Sequence, residues 1–350
     1  MKDLDAARLA QMVQPLLDWF SANARDLPWR ADREPYHVWL SEIMLQQTRV
    51  EAVRGYYARF LDAAPDVFAL AALPEDKLLK LWEGLGYYNR ARNLQACARI
   101  LAENGGAFPE TKDALKKLPG IGDYTAGAIA SICFEQPAAA VDGNVLRVCA
   151  RVLDDDTPVD TPAYRAALDA ALSAVYPSGR CGAFTQSLME LGATVCVPNG
   201  APKCGACPIS DLCLARKNGT ASSLPKKQPK RGRRAENRTV FLLRCGNRVA
   251  VEKRPETGLL AGLWQLPNEP GLYDEAQVGA WAAARPLGDV RLRSVRDGRH
   301  IFTHITWTMR CYALACAQAP DCFTWVTPDE LRGEVSLPTA FRQFLTLDEW

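Results

Sequence analysis

The order of apolar and polar side chains divides the chain into a helical part and a later part with the alternation of strands. In the first part apolar residues return every three or four positions, which predicts amphipathic helices. In the last part, alternating runs flank Gly246 and Asn247, which predicts a β-hairpin. The predicted elements are the helices Leu4–Phe20, Tyr36–Gln46, Val50–Phe60, Asp66–Leu73, Glu75–Trp82, one starting near Tyr124, Val145–Leu153, Pro162–Val175 and Ala183–Leu191, and the strands Arg238–Leu243 and Arg248–Lys253.

A basic segment separates the two parts. Between residues 223 and 237 the composition shifts to lysine, arginine and proline, which is typical of a basic linker that either lies near DNA or is simply solvated. We therefore expect a helical region over residues 1–222, an interdomain linker over 223–237 and a second domain over 238–350. The basic residues in and just beyond this segment are Lys226, Lys227, Lys230, Arg231, Arg233, Arg234 and Arg238.

The composition is that of a globular protein with no overall polycationic character. The chain has 350 residues, of which 48% are hydrophobic, and a formal net charge of +2. A nucleic-acid surface would therefore have to come from local clustering of basic residues. The polar N-terminus differs from a signal peptide and no apolar run is long enough to span a bilayer, so we expect a cytoplasmic protein without a membrane partner.

The stretch from Leu118 to Asn144 holds the first candidate site. Gly120 and Gly122 lie in a tight turn before a predicted helix, where unpaired N–H groups can bind a phosphate. At the other end, Asp142 precedes the next helix, so its carboxylate is either a helix cap or a reactive group. Each feature alone is more often structural, but the two together, followed by a cysteine cluster, favour a functional site.

Glu42 is the second candidate. It lies among large apolar side chains of a predicted helix, where an ionised carboxylate is costly to bury. Burial raises a carboxyl pKa and can leave a proton available near neutral pH, as a general acid requires. The alternative is a surface glutamate on the polar side of the helix.

Four cysteines form the third candidate. Two residues separate Cys204 from Cys207, five separate Cys207 from Cys213, and seven separate Cys196 from Cys204. Twelve cysteines in a long chain indicate metal ligation and buried thiols rather than a disulfide framework. Four thiolates at this spacing suit a [4Fe–4S] cluster or zinc.

Together these motifs resemble the adenine DNA glycosylases of the MutY type, which belong to the endonuclease III superfamily. The resemblance is carried by Trp39–Thr48, Gly84–Leu94, Leu118–Gly122, Val141–Val145 and the cysteine cluster. It implies a multidomain protein with an all-α helix-hairpin-helix glycosylase region followed by an α+β Nudix-like domain.

The resemblance also implies a division of the helical region. A six-helix barrel module is expected over residues 29–134, and an iron–sulfur module is expected from residues 1–28 and 135–222. The family holds a [4Fe–4S] cluster on cysteines separated by six, two and five residues. This chain has one more residue in the first interval, which a loop can absorb, and zinc remains the alternative.

Several single residues acquire roles from the resemblance. Glu42 matches the catalytic acid and Asp142 matches the carboxylate beside the sugar. Tyr124 is expected to orient Asp142 or Glu42, and Asn144 is expected to hold water or the sugar. Where lyase relatives carry a lysine this chain has Tyr124, so imine chemistry has no amine and a glycosylase without lyase activity is implied. The residues expected to bind the DNA or the adenine are Arg30, Gln47, Tyr87, Leu118, Gly120, Gly122 and Gln186.

The second domain resembles a Nudix domain from Gly258–Glu269 onward. A hydrolytic Nudix site needs a helix with several glutamates to hold magnesium, whereas Glu275–Ala284 reads EAQVGAWAAA. The resemblance therefore implies a non-catalytic domain that recognises 8-oxoguanine. Phe302, Thr303 and His304 match the family's Phe-Ser-His loop, with a threonine that keeps the hydroxyl of the serine.

The function implied is removal of adenine from double-stranded DNA that contains A:8-oxoguanine or A:G mispairs, by a protein that acts as a monomer. Two other classes stay open at this stage. One is a bifunctional pyrimidine glycosylase and lyase similar to endonuclease III, and trapping of a covalent DNA adduct with borohydride would favour it. The other is a non-enzymatic DNA-binding metalloprotein, which would bind a mispaired duplex without excising a base.

Overall fold

The computed structural model describes residues 4–229 and 232–345. Lys230 and Arg231 of the expected linker lie outside the described residues. A helical region followed by an α/β domain confirms the fold class that the sequence predicts.

Contacts within the chain define two compact units. We call residues 4–72 and 92–229 the N-terminal unit, and residues 73–91 and 232–345 the C-terminal unit. The expected barrel module covers residues 29–134, yet residues 73–91 group with the second domain. Residues 73–91 therefore belong to the same compact unit as the sheet.

Helices make up the part of the chain before the sheet, as the apolar periodicity predicts. Proline occupies the first turn of several of them, where a missing N–H leaves no helix bond unmade. The helices in chain order are α1 Ala6–Gln11, α2 Val13–Asn23, α3 Pro35–Leu45, α4 Val50–Ala63, α5 Val67–Ala72, α6 Glu75–Leu81, α7 Asn89–Glu103, α8 Lys112–Leu115, α9 Asp123–Phe134, α10 Gly143–Leu153, α11 Pro162–Ser173, α12 Cys181–Thr194 and α13 Leu214–Lys217.

The expected single helix Leu4–Phe20 is wrong, because two helices, α1 and α2, meet at Met12. Pro15 explains the break: it has no N–H to donate to the carbonyl of Gln11, so the helical ladder is interrupted there. The apolar residues of α1 and α2 nevertheless pack into one core.

Helices α1 and α2 pack into the core of the N-terminal unit. Leu9, Leu16 and Leu17 are buried, and they share one apolar cluster with Phe184 of α12 and Ile209. Helices α1 and α2, which precede Trp29, therefore pack against the segment that carries the four cysteines.

A mixed sheet forms the centre of the C-terminal unit. Its strand order is β3-β2-β1-β6-β5, with β4 beside β1 and β7 beside β2; β1 and β6 run parallel, and the other pairs are antiparallel. The elements are β1 Arg234–Cys245, β2 Arg248–Lys253, β3 Trp264–Gln265, β4 Asn268–Pro270, α14 Glu275–Ala283, β5 Val290–Ile301, β6 Ile305–Cys316, β7 Thr324–Val326, α15 Pro328–Gly333 and α16 Thr339–Arg342.

The hairpin about Gly246 and Asn247 is confirmed, since β1 and β2 pair up to Cys245 and Arg248. However, β1 begins at Arg234, so residues 234–237 lie in the sheet and not in the expected linker. The reason is long-range: this charged stretch pairs in parallel with the start of β6. Local composition carries no information about such a partner.

Helices cover both faces of the sheet. One face packs against α14 through Trp281, whose ring stacks on Phe241 at 3.6 Å between centroids. The other face packs against α15 and α16, with Phe341 against Trp307. The hairpin β5–β6 ends in the short loop Phe302–His304, and Phe302 packs against the apolar cluster on the side of α15 and α16.

Among the described residues, every helix is too short or too polar to cross a bilayer.

We expect Leu16→Ala to lower the free energy of unfolding by about 2–5 kcal/mol, because the side chain is fully buried in the core that joins α2 to the cysteine segment. Chemical denaturation of the whole chain measures this loss. The exposed Gln11→Ala is the control, and an equal effect of both substitutions would contradict the packing described here.

Candidate functional site

A cavity of about 500 Å³ opens in the N-terminal unit. Its walls come from α3, α9, α10 and α12 and from the turn at Pro28–Arg30. Six predicted site residues line it together with Gln47: they are Arg30, Glu42, Tyr124, Asp142, Asn144 and Gln186. Residues far apart in sequence thus meet around one space large enough for a small planar ligand.

Glu42 lies on α3 and is only 6% exposed. The Tyr124 hydroxyl donates a hydrogen bond to its Oε2. Burial raises the pKa of Glu42 to about 7, the hydrogen bond from Tyr124 opposes that rise, and the nearby Asp142 charge adds to it. A carboxyl group with this pKa still carries a proton in part of the population at neutral pH.

Asp142 is the N-cap of α10. Its Oδ1 accepts from the backbone N–H of Val145 at 2.7 Å, and its Oδ2 accepts from Nδ2 of Asn144 at 2.7 Å. Burial raises the pKa of Asp142, while these N–H donors and the positive charge of Arg147 oppose the rise. Because N–H donors stabilise a carboxylate, these contacts favour the ionised form of Asp142.

Tyr124 stands in the first turn of α9. Burial, with the charge of Glu42, raises the pKa of Tyr124 well above its ordinary value. The phenol therefore stays protonated and acts as a hydrogen-bond donor to Glu42. Its oxygen cannot form the imine that an amine in this place would form.

Arg147 fixes the second carboxylate from behind. Its Nη2 donates to Oδ1 of Asn144 at 2.8 Å and to the Gly192 carbonyl at 2.8 Å, and its Nε donates to the Cys196 carbonyl at 2.7 Å. Since Asn144 in turn holds Asp142, a continuous set of hydrogen bonds joins the carboxylate to the segment that starts at Cys196.

Gly192 on α12 allows this arrangement. A Cβ atom at this position would come within 2.5 Å of the Asn144 Cβ. Any larger residue would push α10 and α12 apart at the point where Asn144 is held. The glycine is thus required by the close approach of two helices, not by a turn.

Sequence reasoning missed Glu190 and Arg25. Glu190 is fully buried on α12, its Oε1 pairs with Nε of Arg25 at 2.5 Å, and its Oε2 pairs with Nη2 of Arg30 at 2.8 Å. Burial by itself would raise the pKa of Glu190, but the two arginines outweigh it and lower the pKa. The signal that singled out Glu42, a carboxylate in an apolar helix, was also available here.

Arg30 is therefore an ion-pair partner at the wall of the cavity. Its guanidinium also lies 5.4 Å from the centre of the Phe20 ring. Gln186 sits one helical turn before Glu190 on the same side of α12 and faces the cavity.

Gln47 and Tyr87, the two side chains expected to enter the duplex, share an unusual backbone. Their φ angles are +62° and +49°, a region that residues other than glycine seldom adopt. Gln47 follows α3 at the edge of the cavity. Tyr87 belongs to the C-terminal unit, and its side chain is 48% exposed. Strained residues of this kind occur often at ligand-binding positions.

The turn from Leu118 to Gly122 joins α8 to α9. Gly120 has a φ of +75° and lies against Asn93, since a Cβ there would come within 2.6 Å of the Asn93 side chain. Gly122 is exposed and serves as the N-cap of α9, and as a glycine it has no side chain to cap the first N–H groups of that helix.

The loop Phe302–His304 lies at the tip of the β5–β6 hairpin. The ring of Phe302 packs edge-on against Trp307 at 4.9 Å, and Thr303 and His304 are exposed. Oγ1 of Thr303 donates to the Tyr87 hydroxyl at 3.3 Å. The apolar residue thus anchors the loop and presents the two polar ones.

Cys196, Cys204, Cys207 and Cys213 line a second cavity in the N-terminal unit. Arg151 of α10 also lines it and donates from Nη1 to the Cys196 Sγ at 3.2 Å. In residues 4–229 and 232–345, no three His, Cys, Asp or Glu side chains are arranged to hold a single metal ion. The donor set around the cavity consists of sulfur alone.

Two family models match the chain. Residues 40–168 match the HhH-GPD superfamily of base excision DNA repair proteins, and residues 239–347 match the NUDIX domain. The first match includes both carboxylates of the large cavity. The second includes the loop at the tip of the β5–β6 hairpin.

Curated proteins named adenine DNA glycosylase match most of the chain. The protein of Mus musculus is 38% identical over 90% of this chain and 73% of its own length, and that of Homo sapiens is 34% identical over 93% and 72%. Among solved structures, a thermostable thymine-DNA glycosylase matches 62% of this chain and all of its own, with 29% identity and a TM-score of 0.55. A non-covalent endonuclease III–DNA complex, with 24% identity and a TM-score of 0.52, shows the same fold over 62% of this chain.

We expect Tyr124→Phe to raise the pKa of Glu42 above its value of about 7, because the lost hydroxyl is the donor that lowers it. Carbon-13 NMR titration of labelled glutamate carboxyls measures the change, with the Glu42 signal assigned from Glu42→Gln. Tyr164→Phe, a buried tyrosine that does not line the cavity, is the control. An unchanged or lowered pKa of Glu42 would contradict the hydrogen-bond assignment.

Proposed function

The chain belongs to the family of adenine DNA glycosylases, and from that premise we propose that it hydrolyses the N-glycosidic bond of adenine paired with 8-oxoguanine or guanine in duplex DNA. The observation that carries the proposal is that Glu42 and Asp142 line one cavity in different hydrogen-bonding environments. One is suited to hold a proton and the other to hold a negative charge, which is the division of labour that such a hydrolysis needs.

The first step is access to the base. A stacked adenine hides the bond to be broken, so the nucleotide has to leave the helix and enter the cavity. The exposed turn at Gly120 and Gly122 would hold a backbone phosphate through N–H groups at the start of α9. Gln47 and Tyr87 would fill the space that the adenine leaves.

Bond breaking then relies on the two acids. Protonated Glu42 donates to N7 of adenine and makes it a better leaving group. The bond between C1′ and N9 breaks, its electron pair goes to the base, and positive charge develops on the sugar. Anionic Asp142 stabilises that charge. A water molecule then adds to C1′ and gives a proton back to the Glu42 carboxylate, which leaves an abasic site.

The remaining residues of the cavity position these two. Tyr124 orients the Glu42 carboxyl through its hydroxyl, and Asn144 holds Asp142. The ion pairs of Glu190 with Arg25 and Arg30 stiffen the wall of the cavity next to Gln186. Because Tyr124 offers no amine, the sugar–phosphate backbone stays intact, which argues against a lyase step.

We propose that the C-terminal unit recognises the base opposite the adenine. Thr303 presents a hydroxyl at the tip of a hairpin whose Phe302 is anchored in the core. A hydroxyl can both donate to and accept from a modified guanine. One chain carries both the carboxylates and this loop, so we propose that a monomer acts on the duplex.

We also propose that the four cysteines hold a [4Fe–4S] cluster. They surround a common cavity, and the donor set consists of sulfur alone. The four cysteines would hold the cluster, which would cross-link the segment from Cys196 to Cys213. Because Arg147 binds the Cys196 carbonyl and Arg151 binds the Val197 carbonyl, we propose a structural role for the cluster in holding this segment against α10.

We expect Glu42→Gln and Asp142→Asn each to bind a duplex with A:8-oxoguanine and to lose adenine excision by at least about 100-fold, because each removes one of the two charge states. Single-turnover excision and a binding titration on the same duplex separate the two effects. The exposed Glu103→Gln and Asp62→Asn are the matched controls. Normal excision by either cavity variant would refute the role assigned to that residue.

The excision rate should fall as the pH rises through about 7, because only protonated Glu42 can donate and burial raises its pKa to about 7. Below that value the proton is present, and the rate declines on the acid side only where Asp142 becomes protonated. A single-turnover rate profile from acid to alkaline pH tests the sign. A rate that increases steadily through pH 7 would exclude Glu42 as the acid.

The purified protein should contain about four iron atoms and no stoichiometric zinc, since four thiolates ligate the cluster. Metal analysis by mass spectrometry measures both, and Cys204→Ser should lower the iron content. Cys245→Ser, on a half-buried cysteine of the C-terminal unit, is the control. One zinc per chain in place of iron would overturn this part of the proposal.

A further inference from the structure

Two charged residues hold residues 73–91 within the C-terminal unit. Lys80 at the end of α6 is 16% exposed in its side chain, and Glu83 is 11% exposed. Nζ of Lys80 donates to Oε2 of Glu83 at 2.9 Å and to the carbonyls of Leu331 and Val335, both at 3.0 Å. These carbonyls lie at the end of α15, where a cation is favourable.

Glu83 makes the complementary contacts. Its Oε1 accepts from the backbone N–H of Leu337 at 2.8 Å, and its Oε2 pairs with Nη1 of Arg342 at 3.2 Å. We call Lys80 and Glu83, with these partners, the Lys80–Glu83 clasp. A half-buried network with several charge-assisted bonds is stiffer than a single surface ion pair.

The clasp is linked rigidly to Tyr87. Trp82, between the two clasp residues, is fully buried and donates from Nε1 to the Gly86 carbonyl at 3.1 Å. Nη2 of Arg90 donates to the same carbonyl at 3.2 Å, and its guanidinium lies 5.5 Å from the centre of the Tyr87 ring. The loop before α7 is therefore braced from inside while the Tyr87 ring remains exposed.

The loop Phe302–His304 rests on the same helix as the clasp. Phe302 packs against Trp307, whose ring lies 5.9 Å from that of Phe341 in α16. Arg342, the next residue of α16, is the partner of Glu83. Two adjacent residues of α16, Phe341 and Arg342, thus connect to the Phe302–His304 loop and to the Tyr87 loop. These two loops meet at the hydrogen bond from Thr303 to Tyr87.

We propose that Lys80 and Glu83 are positioning residues for opposite-base discrimination. They hold the Tyr87 loop and the Phe302–His304 loop in one fixed arrangement, so that the base facing adenine is tested against a preorganised surface. Neither residue touches DNA in this role. The inference rests on the proposed function, and it adds to that function the contacts by which the C-terminal unit fixes the position of Tyr87.

The test compares single-turnover excision from two duplexes that differ only in 8-oxoguanine or guanine opposite the adenine. We expect Lys80→Met and Glu83→Gln to lower the ratio of the two rates roughly tenfold, since small misplacements of positioning groups cost rate steeply. Lys80→Arg keeps the charge and should restore most of the ratio. Because both rates are measured with the same enzyme preparation, a smaller fraction of active enzyme lowers both equally and leaves their ratio unchanged.

Lys77→Met is the matched control, one turn earlier on α6 and exposed. It should leave the ratio unchanged, and the pH profile set by Glu42 should be the same in every variant. In the background of Thr303→Ala, Lys80→Met should change the ratio little further, because the surface that the clasp aligns is already lost. A merely structural role would add its effect to that of Thr303→Ala.

The outcomes separate the inference from the proposed function. If the wild-type chain discriminates between the duplexes and the clasp variants keep its ratio, or if the effects of Lys80→Met and Thr303→Ala are additive, the inference is overturned and the function stands. If the wild-type chain excises adenine equally from both duplexes, the proposed function stands and the inference is overturned. If it excises adenine from neither duplex, the proposed function fails and the inference fails with it.

Discussion

The hydrogen bonds of the Arg147 guanidinium join parts of the N-terminal unit that the sequence separates widely. On one side it holds Asn144, and through it the Asp142 carboxylate; on the other it holds the carbonyl of Cys196. A buried guanidinium is costly unless its donors are satisfied, so this arrangement is stable only when both sides are in place. The position of Asp142 and the integrity of the cysteine segment are therefore coupled through one side chain.

The same logic of burial governs the two acids. Glu42 and Asp142 lie in one cavity, and removal from water raises the pKa of both. What distinguishes them is the donor that each receives: a phenol for Glu42, and N–H groups for Asp142. Chemistry that needs one protonated and one ionised carboxyl group thus depends on hydrogen bonds supplied by neighbours on α9 and α10, not on burial alone.

The sequence was sufficient for elements and motifs whose causes are local. Apolar periodicity predicts most helices, and the turn chemistry of Gly246 predicts the hairpin, because both depend on neighbours within a few positions. It was insufficient where a distant partner decides. The strand start at Arg234 follows from pairing with β6, and the clasp at Glu83 follows from contacts with residues far along the chain.

The candidate site shows the same limit. Glu42 and Asp142 stand out by residue type and context, and the structure brings them to one cavity with Tyr124 and Gln186. Gly192 and Arg147 have no such signature, because their importance arises from a close approach of two helices and from a carbonyl 49 positions away. Glu190 has the same sequence signature as Glu42, since it is also a carboxylate within an apolar helix.

The left-handed backbone at Gln47 and Tyr87 bears on protein engineering. A side chain in this conformation costs roughly 1 kcal/mol, and glycine would relieve it. Selection for thermal stability alone would therefore favour glycine at Gln47 and Tyr87, although the proposed function needs a large side chain at both positions. A thermostable variant obtained in that way would be more stable but would lack the side chains that enter the duplex. Stability and excision activity therefore have to be selected together in this protein.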